Sequence, residues 1–257
     1  MISDYPGSGR EALLESQIQA LQVEVSLRTK APKKVEVFNK GYVELYDWMG
    51  DDLRIVNMAR QSFGQESTEM GDYETGLVNF LMRERHGTPF EGPVFTFNVK
   101  CPIFVAREWF RHRIGSFNEY SGRYSEMTAD VYIPDAPQIR TQVGKPGNYT
   151  FETMDCEQAN GIRQDMQVVA RECWDLYQHL LNRGVAKEVA RMVLGVNQYT
   201  QFTWVVNFRA LLNFISLRSD DNAMWEIRQY SQEIEKLIKP IVPVAYESFV
   251  THGRVCP

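Results

Sequence analysis

The chain has 257 residues, with 28 Lys+Arg against 33 Asp+Glu, a formal charge of -5 and 44% hydrophobic residues. That length allows one large domain or two small ones and a sizeable core. The acidic balance speaks against a duplex-binding protein, which ordinarily carries a basic excess. Cys101, Cys156, Cys173 and Cys256 form no CxxC pair and show no metal-type spacing, which argues against a disulfide framework and structural zinc. No apolar run is long enough to span a bilayer and no secretion signal is recognisable, so the sequence reads as that of a cytoplasmic enzyme.

Residues 1–34 read as an N-terminal extension. Leu14, Ile18, Leu21 and Val25 give Arg10–Leu27 a helical period, suited to packing on its own or a neighbouring subunit. Lys30, Lys33 and Lys34 around Pro32 mark a linker into a main domain at 35–257. Val35–Trp48 predicts two short strands about a turn at Asn39–Gly41. Asp51 or Asp52 then caps a helix running to Ser62, with Leu53, Val56 and Met58 inward. Tyr73–Arg85 predicts a second helix, with Leu77, Phe80 and Leu81 inward, and His86–Glu91 a turn. Val94–Lys100 alternates cleanly, with Phe95, Phe97 and Val99 on one face of a half-buried strand. Pro102 at a first helical position then starts a helix that brings Glu108 and Arg111 to one side, one turn apart.

Arg107–Tyr124 is the chemically dense stretch. It sets Arg107, Arg111, Arg113 and Arg123 around Glu108 and Glu119, with His112, Ser116, Asn118 and Ser121 between them. Its cations are all Arg, whose planar fork suits phosphate, carboxylate and flat polar rings. Gly115 and Gly122 would let backbone N–H groups approach a ligand. If the chain is extended beyond Phe110, Arg111 and Arg113 face opposite sides and serve two ligands. The alternative is a surface loop laced with ion pairs.

Thr128–Asn160, with its Pro and Gly, reads as a long surface excursion. A long helix follows over Gly161–Arg183, stopped by Gly184, with Val168, Cys173, Leu176, Leu180 and Leu181 as an apolar stripe. A helix over Ala186–Gly195 carries Glu188 and Arg191. Tyr199–Asn207 is a strand, and Arg209–Arg218 and Asn222–Ile238 are helices. Strands among helices without βαβ alternation predict an α+β fold, a mixed or antiparallel sheet packed by helices, and not a Rossmann fold. No P-loop, GxGxxG or HExxH is present, and no His/carboxylate spacing suggests a metal. Cys101 and Ser121 lack an activating neighbour. The residues therefore point to an anionic substrate, with the hard chemistry left to a cofactor.

Residues 111–124 match the pattern R-H-R-x-x-S-x-N-E-x-S-x-R-Y at each fixed position, and in this the chain resembles the flavin-dependent thymidylate synthases. The likeness runs from about Gly41 to about Glu247. It implies an α+β core particular to that family and conversion of deoxyuridine monophosphate (dUMP) to thymidine monophosphate (dTMP). It also implies methylenetetrahydrofolate as carbon donor, FAD as hydride carrier, NADPH as reductant, and a homotetramer with active sites between subunits. By the same resemblance the nucleotide would be held by Glu108, Arg111, Glu119, Ser121, Gly122, Arg123, Arg191 and Arg218, with Arg218 catalytic against the uracil ring. FAD contacts would come from Ser62, Thr88, Arg111, His112, Arg113, Ile114, Glu119, Asn207, Arg209 and Asn213, and His86 would lie toward folate and flavin. Asn222 stands where some relatives have His, and Glu108 where some have Gln. Two other readings stay open: a nucleotide-binding protein without turnover, and a single-stranded nucleic-acid binder using Trp109, Phe110, Phe117 and Tyr120 among the Arg residues.

Overall fold

The computed structural model describes residues 34–145 and 148–257. The helix expected at Arg10–Leu27 lies outside the described residues. In chain order the strands are β1 (Lys34–Val37), β2 (Gly41–Met49), β3 (Val94–Pro102), β4 (Ser116–Glu119), β5 (Arg140–Lys145), β6 (Asn148–Thr153) and β7 (Tyr199–Asn207). The helices are α1 (Asp52–Arg60), α2 (Asp72–Arg83), α3 (Ile103–Trp109), α4 (Cys156–Asn182), α5 (Lys187–Ala190), α6 (Phe208–Arg218), α7 (Trp225–Ile238) and α8 (Pro243–Thr251). Five strands form one sheet in the order β1-β2-β3-β7-β4, every neighbour antiparallel, while β5 and β6 pair separately as a hairpin. The α+β expectation stands, and the sheet is antiparallel rather than mixed.

The alternation read in β3 is what builds the core. Phe95, Phe97 and Val99 are fully buried, and the register sets them opposite Val206, Trp204 and Phe202 of β7. The other face of β3 is half-buried and polar: Thr203 Oγ1 donates to Asn98 Oδ1 at 2.9 Å, and Asn98 Nδ2 to Glu44 Oε2 at 3.2 Å. Trp109 of α3 meets Phe214 of α6 at 4.7 Å between ring centroids and Trp204 at 5.5 Å edge-on. These aromatic contacts lock the end of α3 and the middle of α6 onto the sheet.

Several local expectations are corrected. Met58 and Phe80 are exposed; the buried residues are Ile55 and Val56 on α1, and Val78, Leu81 and Met82 on α2. Pro102 is the N-cap of α3 rather than its first residue. That helix ends at Trp109, so Arg111 lies beyond it rather than one turn along it from Glu108. The stretch read as unpatterned holds the β5–β6 hairpin, and α4 starts at Cys156, capped by Asp155, whose side chain accepts from Glu157 N and Gln158 N. Gly184, at φ +79°, ends α4 as expected. The apolar stripe of α4, however, is only partly covered by the described residues: Val168 and Leu176 are 54% and 46% exposed, Cys173, Leu180 and Leu181 are half-buried, and the buried residues of the helix are Ala159 and Tyr177. The α5 region closes after Ala190 into a 3-10 turn, α7 starts at Trp225 instead of Asn222, and α8 carried no sequence expectation. Asp52 orders α8. It is 4% exposed and accepts from Val244 N at 2.8 Å and Ala245 N at 2.9 Å, tying the start of α8 to the start of α1.

Candidate active site

Two elements converge on one cavity of about 750 Å³: the loop after α3, and one side of α6. The loop is pinned at both ends by apolar packing. Trp109 is buried at its start, and at its end Phe117 of β4 stacks on Trp204 at 6.0 Å with rings 6° apart. Gly115 sits tight on that tryptophan; a Cβ there would lie 2.8 Å from Trp204 Nε1, so its small size serves internal packing. The loop held this way presents Arg111, His112, Arg113 and Ile114 to the cavity. Arg111 and Arg113 thus line one space, not two.

Helix α6 buries Phe208, Leu211, Leu212, Phe214 and Ile215, which leaves Arg209, Asn213 and Leu217, spaced i, i+4 and i+8, for the cavity wall. Asn207 caps it, accepting from Ala210 N at 2.9 Å. Arg209 is held by two acceptors: its Nε donates to Pro257 O and its Nη1 to Glu91 Oε1, each at 2.8 Å. Gly87 makes room for that guanidinium, since a Cβ there would stand 2.3 Å from Arg209 Nε. The turn expected at His86–Glu91 (a 3-10 segment over Thr88–Glu91) therefore flanks the cavity and lends it Glu91. His86 and Thr88 belong to this turn without lining the cavity; the His86 ring packs edge-on against Phe80 at 5.7 Å.

Arg218 closes α6 and is the most constrained of these cations. Its Nε donates to His112 Nε2 at 2.9 Å, its Nη2 to Glu108 O at 3.2 Å, and its Nη1 lies 3.1 Å from Glu108 Oε2. N–H groups remain on both Nη atoms for a ligand. Burial, helped by the Arg218 charge, lowers the His112 pKa to about 4, so the imidazole is neutral at ordinary pH. With Nε2 accepting from Arg218, its proton resides on Nδ1. Four guanidinium groups against Glu91 and Glu108 make this a locally cationic pocket in an acidic chain.

The remaining expected nucleotide residues assemble elsewhere. Glu119 lies on β4 and accepts from Thr200 Oγ1 at 2.6 Å. Ser121, Gly122 and Arg123 form the turn after it, with Tyr124 N and Ser125 N donating to Ser121 O. Gly122 packs on Arg191, whose Cδ would stand 3.2 Å from an added Cβ, and Arg123 Nε donates to Glu188 Oε2 at 3.1 Å. None of these five residues lines the large cavity, and Ser62 lies apart from it too, in the turn after α1. Sequence reasoning missed Glu91, Glu188 and Cys256 as site neighbours. Glu91 sat inside a segment already read as a turn, but nothing in the pattern around Cys256 announces a cavity wall.

The family model described as "Thymidylate synthase complementing protein" matches residues 44–244. This chain belongs to the flavin-dependent thymidylate synthase family. It is 44% identical over 220 residues to the flavin-dependent thymidylate synthase of Thermotoga neapolitana, covering 86% of this chain and 95% of that protein. The Thermus thermophilus flavin-dependent thymidylate synthase is 43% identical over 223 residues, 87% of this chain and 80% of that protein. Among solved structures, the UMP/dUMP methylase PolB of Streptomyces cacaoi, bound with 5-Br dUMP, superposes with a TM-score of 0.78 at 36% identity, covering 87% of this chain and all of that one. Membership of the flavin-dependent thymidylate synthases makes the protein an enzyme of the methyltransferase class.

Proposed function

We propose that this flavin-dependent thymidylate synthase converts dUMP to dTMP, taking a one-carbon unit from 5,10-methylenetetrahydrofolate and reducing equivalents from NADPH. The observation that carries the reading is the convergence of the Arg111–Ile114 loop with Asn207, Arg209, Asn213 and Arg218 on one cationic cavity. Those residues suit FAD: Leu217 and Ile114 offer apolar surface for a ring system, while Arg111, Arg113 and Arg209 answer phosphates. When bound, FAD supplies the hydride-carrying chemistry.

Arg218, held by Glu108 and His112, would lie against uracil N3 and O4 and stabilise the charge that develops there as C5 becomes nucleophilic. No cysteine nucleophile is needed, in keeping with the Cys101 thiol, which is fully buried with its pKa pushed well up. Neutral His112 would offer Nδ1–H as a donor inside the cavity. Arg123 and Arg191 would take the nucleotide phosphate, beside Ser121, Gly122 and Glu119. That cluster stands apart from the Arg218 cavity within one chain, and the described residues leave apolar surface on α4 exposed at Val168 and Leu176. Both features support a homotetramer whose sites combine the two clusters from different subunits. Residues 35–257 would form the catalytic domain and 1–34 an extension, His86, Thr88 and Ser62 would complete the folate and flavin surroundings, and the enzyme would work in the cytoplasm. No helix among the described residues is long and apolar enough to cross a membrane.

The test is a purified, yellow protein assayed with dUMP, methylenetetrahydrofolate and NADPH. dTMP formation that requires all three supports the reading, while a colourless protein, or one without product, overturns it. UMP belongs in the same assay as an alternative nucleotide.

A further inference from the structure

Behind Arg218 lies a buried carboxylate that the proposed chemistry does not use. Glu235 of α7 is 7% exposed. Its Oε1 accepts from Ser219 Oγ at 2.5 Å and from Arg254 Nη2 at 2.6 Å, and its Oε2 accepts from Tyr246 OH at 2.7 Å. Ser219 Oγ also lies 2.8 Å from Ser231 Oγ. Charge-assisted hydrogen bonds this short are the strong and directional kind. One carboxylate thus ties together the end of α6, helices α7 and α8, and the segment after α8.

Ser219 is the C-cap of α6 and follows Arg218 directly. Helix ends fray unless something outside the helix holds them. On its ligand side Arg218 is held by Glu108 and His112, which belong to the end of α3 and the loop beyond it. Behind it, Ser219 is bonded to the network around Glu235. A second cavity of about 730 Å³, lined by Ser219, Asn222, Gly253 and Arg254 among others, shares Leu217 and Arg218 with the first. Arg254 adopts φ +58°, a left-handed conformation that a non-glycine residue keeps only when its surroundings impose it. Its backbone N–H donates to Phe249 O at 2.8 Å and its guanidinium pairs with Glu235.

We infer that Glu235, acting through Ser219, is a positioning residue that fixes the Arg218 guanidinium at the junction of the two cavities. The inference rests on the reading above that Arg218 works on the bound nucleotide. An ångström of misplacement at a catalytic group can cost about a hundredfold in rate. Loss of the Ser219 bond is therefore expected to act on turnover rather than on binding.

The experiment compares Ser219→Ala, which leaves Glu235, Arg254 and Tyr246 bonded to one another, with Ser219→Thr, which restores a hydroxyl. For S219A the expected result is a drop of about tenfold or more in kcat. KM for dUMP and the FAD content should stay within about twofold of the parent, and amide exchange across residues 216–222 should be faster. S219T should recover most of the lost turnover. Unchanged kcat in S219A, or a loss matched by lost FAD or by global melting, would overturn the inference. If the parent holds FAD yet forms no dTMP, the proposed function fails instead. The positioning is then judged on exchange alone, and unchanged protection at 216–222 in S219A overturns it.

Discussion

Gly87→Ala tests the link between the turn before β3 and the cavity. The backbone at Gly87, φ -70° and ψ -33°, accepts alanine without strain. The added methyl would lie 2.3 Å from Arg209 Nε and 2.5 Å from its Cζ, where about 3.5 Å is ordinary contact. The guanidinium must retreat by about 1 Å, which takes the bonds to Pro257 O and Glu91, both 2.8 Å, beyond hydrogen-bonding range. Side chains 45% and 42% exposed make the Glu91 pair worth at most about 1 kcal/mol, and the Pro257 bond adds about 1 kcal/mol. A melting temperature lowered by roughly 2–8 °C follows. If Arg209 contacts FAD, losing one charge-assisted bond of about 1.5–3 kcal/mol weakens FAD binding by about 10- to 100-fold. Flavin fluorescence titration of the apoprotein measures this. Arg209→Met should show the same loss, with no further loss in the double variant. An FAD dissociation constant unchanged in G87A would refute the reasoning.

Arg218→Ala should lower dTMP formation by about a hundredfold or more while FAD stays bound; turnover within a few-fold of the parent removes Arg218 from the chemistry. His112 has a folded pKa of about 4, below its ordinary 6.5. Its stabilising neutrality is complete above about pH 6.5 and is lost as pH falls through 4. FAD retention is a property of the folded chain, in which His112 titrates at about 4. Followed by gel filtration, it should be flat from pH 8 to about 5 and drop near 4, and a fall centred at 6.5 would contradict it. Burial raises Asp52 to about pH 6, a penalty only partly offset by the two backbone N–H bonds it accepts. Its contribution to stability is therefore largest below about pH 4 and declines as pH rises through 6. Relative to Asp52→Asn, the parent should lose up to about 2 kcal/mol between pH 4.5 and 7.5 in denaturant titrations, and parallel pH curves would exclude this.

Much of this protein is set by local pattern. Two-residue alternation in β3 predicts a half-buried strand with one apolar face, and that face, set against β7, forms the core. The Arg111–Tyr124 motif specified the family because its residue types and spacing are improbable in a solvated loop. Tertiary structure decided what depends on partners distant in sequence. It showed Met58 and Phe80 outside, because helical period alone does not say which flank of a stripe meets the sheet. It brought Arg209 against the Gly87 turn and Pro257, and set Glu235 behind Ser219, pairings separated by many residues. It divided the expected nucleotide residues into two clusters and, among the described residues, left Val168 and Leu176 of the α4 stripe exposed. Side-chain chemistry is written residue by residue, whereas convergence depends on how the sheet and helices bring remote segments together.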